Sequence, residues 1–445
     1  MRQGDRPFSP PGSLLNSRGD ELIFIKFSEF TLSNGLHVIL SPDKNAPVVA
    51  VDIWYHVGSK DEEPSRTGFA HLFEHMMFQG SANVKKAEHM RYVEEAGGVF
   101  NGSTSWDRTN YFETLPANRL ELALWLESDR MSSLDISRRN LDNQREVVKE
   151  ERRFRVDNKP YGTAWEKIFS MAYREHPYRW PVVGYLEHLD AATVNDVSSF
   201  FRSYYVPNNA VLAITGDFNP PEASGMVKKY FGDISSGARP DRDPVIEKPL
   251  RGQVREVVYD DVALPAVYMA FRVPPVASSD SDALNLAAGI LSGGKSSRLY
   301  TRLVYEKRIA QSVTAFQLDM EAPGLFVVNA VVSPRNEPSD VEREIRNEIR
   351  KLAESGPHAK ELEKIRNRFS SEWVRQLSRT LGRADNLAHF RTFYGDTGMI
   401  NRYLDRLLKV SRKQIRDVAS EYLDTLDSAV VYYLPCGNRR LKGRI

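Results

Sequence analysis

Two stretches far apart in this chain follow one plan, and that repetition constrains the fold more than any other feature. "APVVAVDIWYHV" (46–57) and "LPAVYMAFRV" (264–273) are both proline-led apolar strands. "VSSFFRSYYVPNNAVLAI" (197–214) and "VASEYLDTLDSAVVYY" (418–433) both read as a helix running into a strand. A chain of 445 residues exceeds one ordinary core. The repeat therefore implies an α+β fold of two similar domains, each a mainly antiparallel sheet packed with helices. "GARPDRDPVIEKPLRG" (237–252) is rich in Pro, Gly and charge and marks the junction. The expected organisation is a flexible lead over 1–27, domains over 28–236 and 251–445, and a linker over 237–250.

Helical periodicity is expected near 68–79, 84–96, 117–131 and 138–156, and strands over 35–40, 47–57 and 209–218. The apolar runs fall well short of about 18 residues, so no spanning helix is expected. A formal net charge of +2, with no block of like charge, gives no electrostatic reason for nucleic acid binding. The polar N-terminal segment has no apolar signal core. A soluble protein is expected, periplasmic if this is a mature chain or else cytoplasmic.

The chemistry concentrates in "GFAHLFEHMMF" (68–78). His71 and His75, four apart, share one helix face, and Glu74 projects beside them. This is the inverted zinc-peptidase pattern, His-x-x-Glu-His. Two imidazoles supply metal nitrogens, and a carboxylate close by can take a proton from water at the metal. As a purely structural helix, the three polar groups would need other partners or cost about 1–3 kcal/mol each.

Cys436 is the single cysteine, so a thiolate cluster is excluded and a third ligand should be a carboxylate. "LDNQREVVKEERRF" (141–154) offers Glu146, Glu150 and Glu151. At about 100° per residue, Val147 and Val148 define an apolar stripe with Glu151 near its centre. Glu146 and Glu150 swing away toward solvent. Gln144 shares the Glu151 stripe. Glu151 is the expected ligand.

With Glu151 placed, the chain resembles the pitrilysin–insulysin–mitochondrial processing peptidase family of inverted zinc endopeptidases. The resemblance rests on "TLSNGLHVIL", "HVGSKDEEPSRTGFAHLFEHMMFQGS", "NGSTSWDRTNYF", "REVVKEERR" and "SSRLY". It implies one Zn2+ per chain held by His71, His75 and Glu151, with Glu74 as general base. It also implies that the two domains form half of a clamshell. "GGVFNGSTSWDRTNYFETL" (97–115) is similar to the family's substrate-binding edge strand, which places Asn101, Gly102 and Ser103 against an extended peptide.

The chain departs from the family pattern in two places. Some members carry a glutamate behind the metal ligands, seven residues before the distal one, where this chain has Gln144. The family's Arg/Tyr pair, which grips substrate, falls on Val304 and Gln311, with Arg302 and Tyr305 out of register. This implies a homologous partner subunit lacking the zinc motif, in a heterodimer, although a homodimer is possible. The rival expectation is a non-catalytic subunit of the same fold.

"GILSGGKS" (289–296) also matches the phosphate-loop letters. The preceding "SDALNLAAGIL" reads as a helix capped by Ser281 or Asp282, whereas a phosphate loop must follow a strand. No nucleotide site is expected there.

Overall fold

The computed structural model describes residues 24–240, 242 and 244–437. Most of the expected N-terminal lead, 1–23, lies outside the described residues. Its last part is anchored rather than loose: Ile25 is buried, and its backbone exchanges two hydrogen bonds with the Asn401 side chain.

The strands are β1 (Ser28–Thr31), β2 (His37–Pro42), β3 (Val48–Tyr55), β4 (Val99–Thr104), β5 (Thr109–Pro116), β6 (Ala210–Gly216), β7 (Val254–Asp260), β8 (Ala266–Val273), β9 (Ala310–Leu318), β10 (Gly324–Val332) and β11 (Ala429–Pro435). They form a six-stranded sheet, order β1-β2-β6-β3-β5-β4, and a five-stranded sheet, order β7-β11-β8-β10-β9. Without β1, the two orders match strand for strand. Each sheet has a single parallel pair, β2/β6 in one and β7/β11 in the other. β4 and β9 are therefore equivalent edges.

The helices complete the correspondence. Helix Phe69–Met76 lies between β3 and β4, and helix Ser279–Ser292 lies between β8 and β9. The first carries both histidines; the second carries none. Its cap is Ser278, whose Oγ accepts from the Asp280 amide, and not Ser281 or Asp282, which are buried one turn further in. The "GILSGGKS" stretch is the C-terminal end of this helix, with Gly289 packed on Ile365. A helix, not a strand, precedes it.

Each half covers the other's sheet. Helix Thr380–Tyr394 lays Ala384, Leu387 and Ala388 against Ile39, Trp54 and Ala213 of the first sheet. Helix Ala164–Ala172 lays Ile168 and Phe169 against Ala270, Leu325 and Val431 of the second. Each fully buried Leu, Ile or Phe contributes roughly 1.5–3 kcal/mol, so this exchange joins the halves through their cores.

A charged contact reinforces the join. Glu321, between β9 and β10, sits 2.7 Å from His56 Nε2 and accepts from Lys60 Nζ at 2.8 Å. Burial pushes its carboxyl up, but the His56 hydrogen bond and the Lys60 charge outweigh this and hold it at about 2. A lowered folded value means that the stabilisation is complete above the unfolded value and is lost as pH falls toward 2. Glu321→Gln should cost about 1–2 kcal/mol at neutral pH, allowing for partial exposure, with the gap from wild type closing between about pH 5 and 2. Urea titrations across that range decide it; a gap independent of pH would refute the assignment.

Candidate metal centre and substrate strand

The motif helix begins where its sequence allows a sharp entry. Gly68 has φ +91°, and a Cβ there would lie 2.7 Å from the Val183 carbonyl oxygen. The Glu62 carboxylate accepts from the Gly68 and Ala70 amides at 2.9 and 2.8 Å, satisfying donors that a helix start leaves unpaired. Leu72, Phe73 and Met76 are buried on the core side. The opposite side presents His71, Glu74 and His75.

Helix Arg138–Arg152 delivers Glu151 to the same place. Its Oε2 lies 3.0 Å from His75 Nε2 and 3.6 Å from His71 Nε2. One donor atom from each of the three residues falls within 4.8 Å of the others. Side-chain exposures of 12, 22 and 17% for His71, His75 and Glu151 leave the cluster shielded yet reachable. Glu151 Oε1 pairs with Arg155 at 2.6 Å, leaving Oε2 to face the imidazoles.

The protonation states suit a cation. Burial, then the neighbouring His75, pulls His71 down to about 4, so its ring is neutral at pH 7 with a lone pair free. The His75 hydrogen bond and the nearby positive charges outweigh burial and hold Glu151 at about 2, ionised. Two imidazoles and a carboxylate converging on one point form a donor set that fits zinc.

The inward stripe of the Glu151 helix differs in one residue from the expected one. Leu141, Gln144 and Val148 are buried, while Val147 is 42% exposed. The helix packs along a narrow face, and a residue 100° from Val148 already leaves it. Glu151 stays on the inward side, and Glu146 and Glu150 have exposed side chains. Gln144 lies on the stripe, but its amide donates to Asn143 at 2.8 Å. Among the described residues it makes no hydrogen bond to either imidazole, and His71 Nδ1 is buried without a partner.

Glu74 reaches toward β4, where its Oε2 accepts from Thr104 Oγ1 at 2.7 Å. A Cβ on Gly102 would stand 3.2 Å from Glu74 Cγ. Strand alternation puts Gly102 and Thr104 on the Glu74 face and Asn101 and Ser103 on the reverse face. Of the three expected strand residues, the structure thus brings only Gly102 to Glu74. Ser103 Oγ instead donates to Asn110 at 2.7 Å on the far side. Thr104, Glu62 and Arg155 were not anticipated. Thr104 was within reach of sequence reasoning, because it follows Gly102 by two; Glu62 and Arg155 carry no comparable signal.

β4 is an edge, so half of its backbone groups are free. The Ser105 N–H to Arg108 carbonyl bond (2.8 Å) closes the β4–β5 hairpin, which makes 103/110 and 101/112 the hydrogen-bonded pairs. Gly102 and Thr104 therefore turn their N–H and C=O groups outward. The Gly102 N–H is met by Asn101 Oδ1 at 2.9 Å.

A second buried group, His89, Glu113 and Glu127, also has ligand atoms in proximity. Here Arg130 fills the space, pairing with both carboxylates and stacking over Tyr111 and Phe78. The guanidinium already supplies the positive charge, so this is an internal ion-pair network. In the second half, Arg302 is engaged by Glu344 and Glu306, and Tyr305 is 73% exposed. No helix among the described residues is long and apolar enough to cross a membrane.

Comparison with known proteins agrees with this architecture. The insulinase model (peptidase family M16) matches residues 37–184, and the peptidase M16 inactive domain model matches 191–369. Zinc protease PqqE of Helicobacter pylori is 31% identical over 417 residues, covering 92% of this chain and 93% of that protein. A probable mitochondrial-processing peptidase subunit beta of Arabidopsis thaliana is 24% identical over 434 residues, covering 95% of this chain and 81% of that protein. The crystal structure of a protease from Helicobacter pylori superposes with a TM-score of 0.89 at 30% identity, covering 93% of this chain and all of that one. The paired sheets, the inverted histidine motif and the near full-length match to PqqE lead to one assignment: the chain belongs to the insulinase family of peptidases, M16.

Proposed function

We propose that this protein is a zinc-dependent endopeptidase that hydrolyses peptides or unfolded polypeptide segments. The observation that carries the reading is the position of Glu74, beside the His71–His75–Glu151 cluster and hydrogen-bonded to the edge strand. A structural metal site has no use for a free carboxylate at that point.

Zinc bound there supplies a Lewis acid that polarises a carbonyl and lowers the pKa of water. The chain's residues do the rest. His71, His75 and Glu151 are assigned as ligands; Gln144, whose amide donates to Asn143, is not given a part in holding them. Glu74 takes the proton from the attacking water and returns it to the departing amine. Thr104 fixes the Glu74 carboxylate toward the strand. The outward N–H and C=O groups of Gly102 and Thr104 pair an extended peptide by strand addition. Asn101 Oδ1, resting on the Gly102 N–H, stands where a substrate carbonyl would pair. Ser103 holds the strand from its reverse face through Asn110. A compact folded protein is a poor substrate because its backbone is already paired.

We assign the halves as 28–236, with the metal centre, and 251–445, without one. The helix equivalent to the motif helix carries no histidine, which supports that division. The chain is proposed to form half of a clamshell with a homologous subunit that lacks the zinc motif and supplies an Arg/Tyr pair. Val304 and Gln311 at the expected positions, and the engagement of Arg302 by Glu344, support this reading.

The test is hydrolysis of an unstructured peptide by the zinc-loaded chain, alone and with such a subunit. Activity should need both chains and vanish with a zinc chelator. Full activity of the chain alone overturns the partner requirement, and no activity in either case favours a non-catalytic subunit.

A further inference from the structure

The reverse face of β4 carries a polar network that the reaction itself does not use. Arg108 Nη1 donates to the Ser103 carbonyl at 2.9 Å, to Ser103 Oγ at 2.5 Å and to Asn110 Oδ1 at 3.0 Å. Its guanidinium carbon lies 5.0 Å from the Trp54 ring centroid. Asn110 in turn donates to buried Asp52 at 2.9 Å, and Asp52 also accepts from Trp54 Nε1 at 3.2 Å. One guanidinium thus ties the substrate strand to β5 and, through Asn110, to the centre of the sheet.

Apart from the β4–β5 ladder, this network is what meets the reverse face of the strand. β4 has a neighbour on one side only, and its reverse face opens on a cavity of about 670 Å³. Arg108 lines this cavity with Asp52 and Ser103, and across it stand Asp385 and Arg379. Asp385 belongs to helix Thr380–Tyr394, so the second half of the chain closes the space behind the strand. The β4–β5 ladder sets the register of Ser103, and on the reverse face Arg108 Nη1 holds its carbonyl and hydroxyl in place.

We propose that Arg108 is a positioning residue for the substrate strand, holding Ser103 so that the flanking Gly102 and Thr104 present their outward groups in register for peptide pairing. This rests on the endopeptidase reading. Fixing those groups beforehand removes an ordering cost from peptide binding, so the effect belongs to KM rather than kcat.

Arg108→Ala in the zinc-loaded chain, assayed together with the partner subunit, should raise KM for an extended peptide about tenfold, with kcat within about twofold and zinc content unchanged. The cavity leaves room for a guanidinium ion at about 20–50 mM to restore KM, since it supplies the missing cationic N–H donors, whereas neutral urea at the same concentration should not. Arg108→Lys keeps a cationic donor but not the planar guanidinium over Trp54, so it should fall between wild type and the alanine variant, and it serves if the alanine variant does not fold. Unchanged KM in the folded variants, or a fall in kcat at constant KM, overturns the proposal. Hydrogen exchange separates this from failure of the peptidase reading. Even if the wild type cleaves no peptide, Arg108→Ala should speed exchange over residues 99–104 about tenfold while sparing 69–76. Equal exchange in the two proteins overturns it as well.

Discussion

Replacing Glu74 by Gln is expected to lower kcat for peptide hydrolysis by about 10³-fold, within the range that a positioned general base contributes, while zinc stays bound. The substitution keeps the size of the side chain and its hydrogen bond with Thr104, since an amide oxygen can still accept from that hydroxyl. It removes only the capacity to take a proton. His71, His75 and Glu151 are untouched, so zinc content by atomic emission should match the wild type, and KM should change little. If the variant hydrolysed peptide at the wild-type rate, Glu74 would not be the base. If it lost zinc along with activity, Glu74 would belong among the ligands.

The second large effect concerns the metal. Glu151→Ala removes the anionic member of the donor set and leaves only two imidazoles to face a dication. Zinc affinity should fall by at least about a hundredfold, the upper end of what even outer-shell changes cost, and activity should fall with it. Glu150→Gln and Glu146→Gln are the matched controls. Their carboxylates are on the exposed side, paired only with Arg153 and Lys149. They should retain zinc, with stability within about 0.5 kcal/mol of wild type. Competition against a chromophoric chelator measures all three variants. Zinc loss in Glu150→Gln with retention in Glu151→Ala would reverse the ligand assignment.

The motif helix was legible because its signal is local. His71, Glu74 and His75 lie within five residues, and a period of 3.6 fixes their common side without any tertiary information. Glu151 was reached by the same periodicity in a second helix. Val147 lies off the buried stripe because helical periodicity gives the direction of a stripe but not its width. Width depends on how closely neighbouring elements approach. Ser278 was missed as a cap in favour of Ser281 and Asp282 for a similar reason, since several capping residues crowd one stretch and only backbone geometry selects among them.

The alternation of β4 is a sharper case. Asn101, Gly102 and Ser103 were read as one block facing the substrate, but consecutive strand residues face opposite sides. The structure divides the block, with Gly102 and Thr104 toward Glu74 and Ser103 toward Arg108 and Asn110.

By itself the sequence determined the two-fold α+β plan, the inverted histidine motif and the inward side of the helix on which Glu151 lies, because each depends on spacing along one element. Only the tertiary structure decided which helix covers which sheet, that Thr104 bonds the Glu74 carboxylate, that Gln144 turns to Asn143 and that Arg108 braces the strand from behind. Those contacts join residues distant in the chain, and their geometry depends on packing, which no local period encodes.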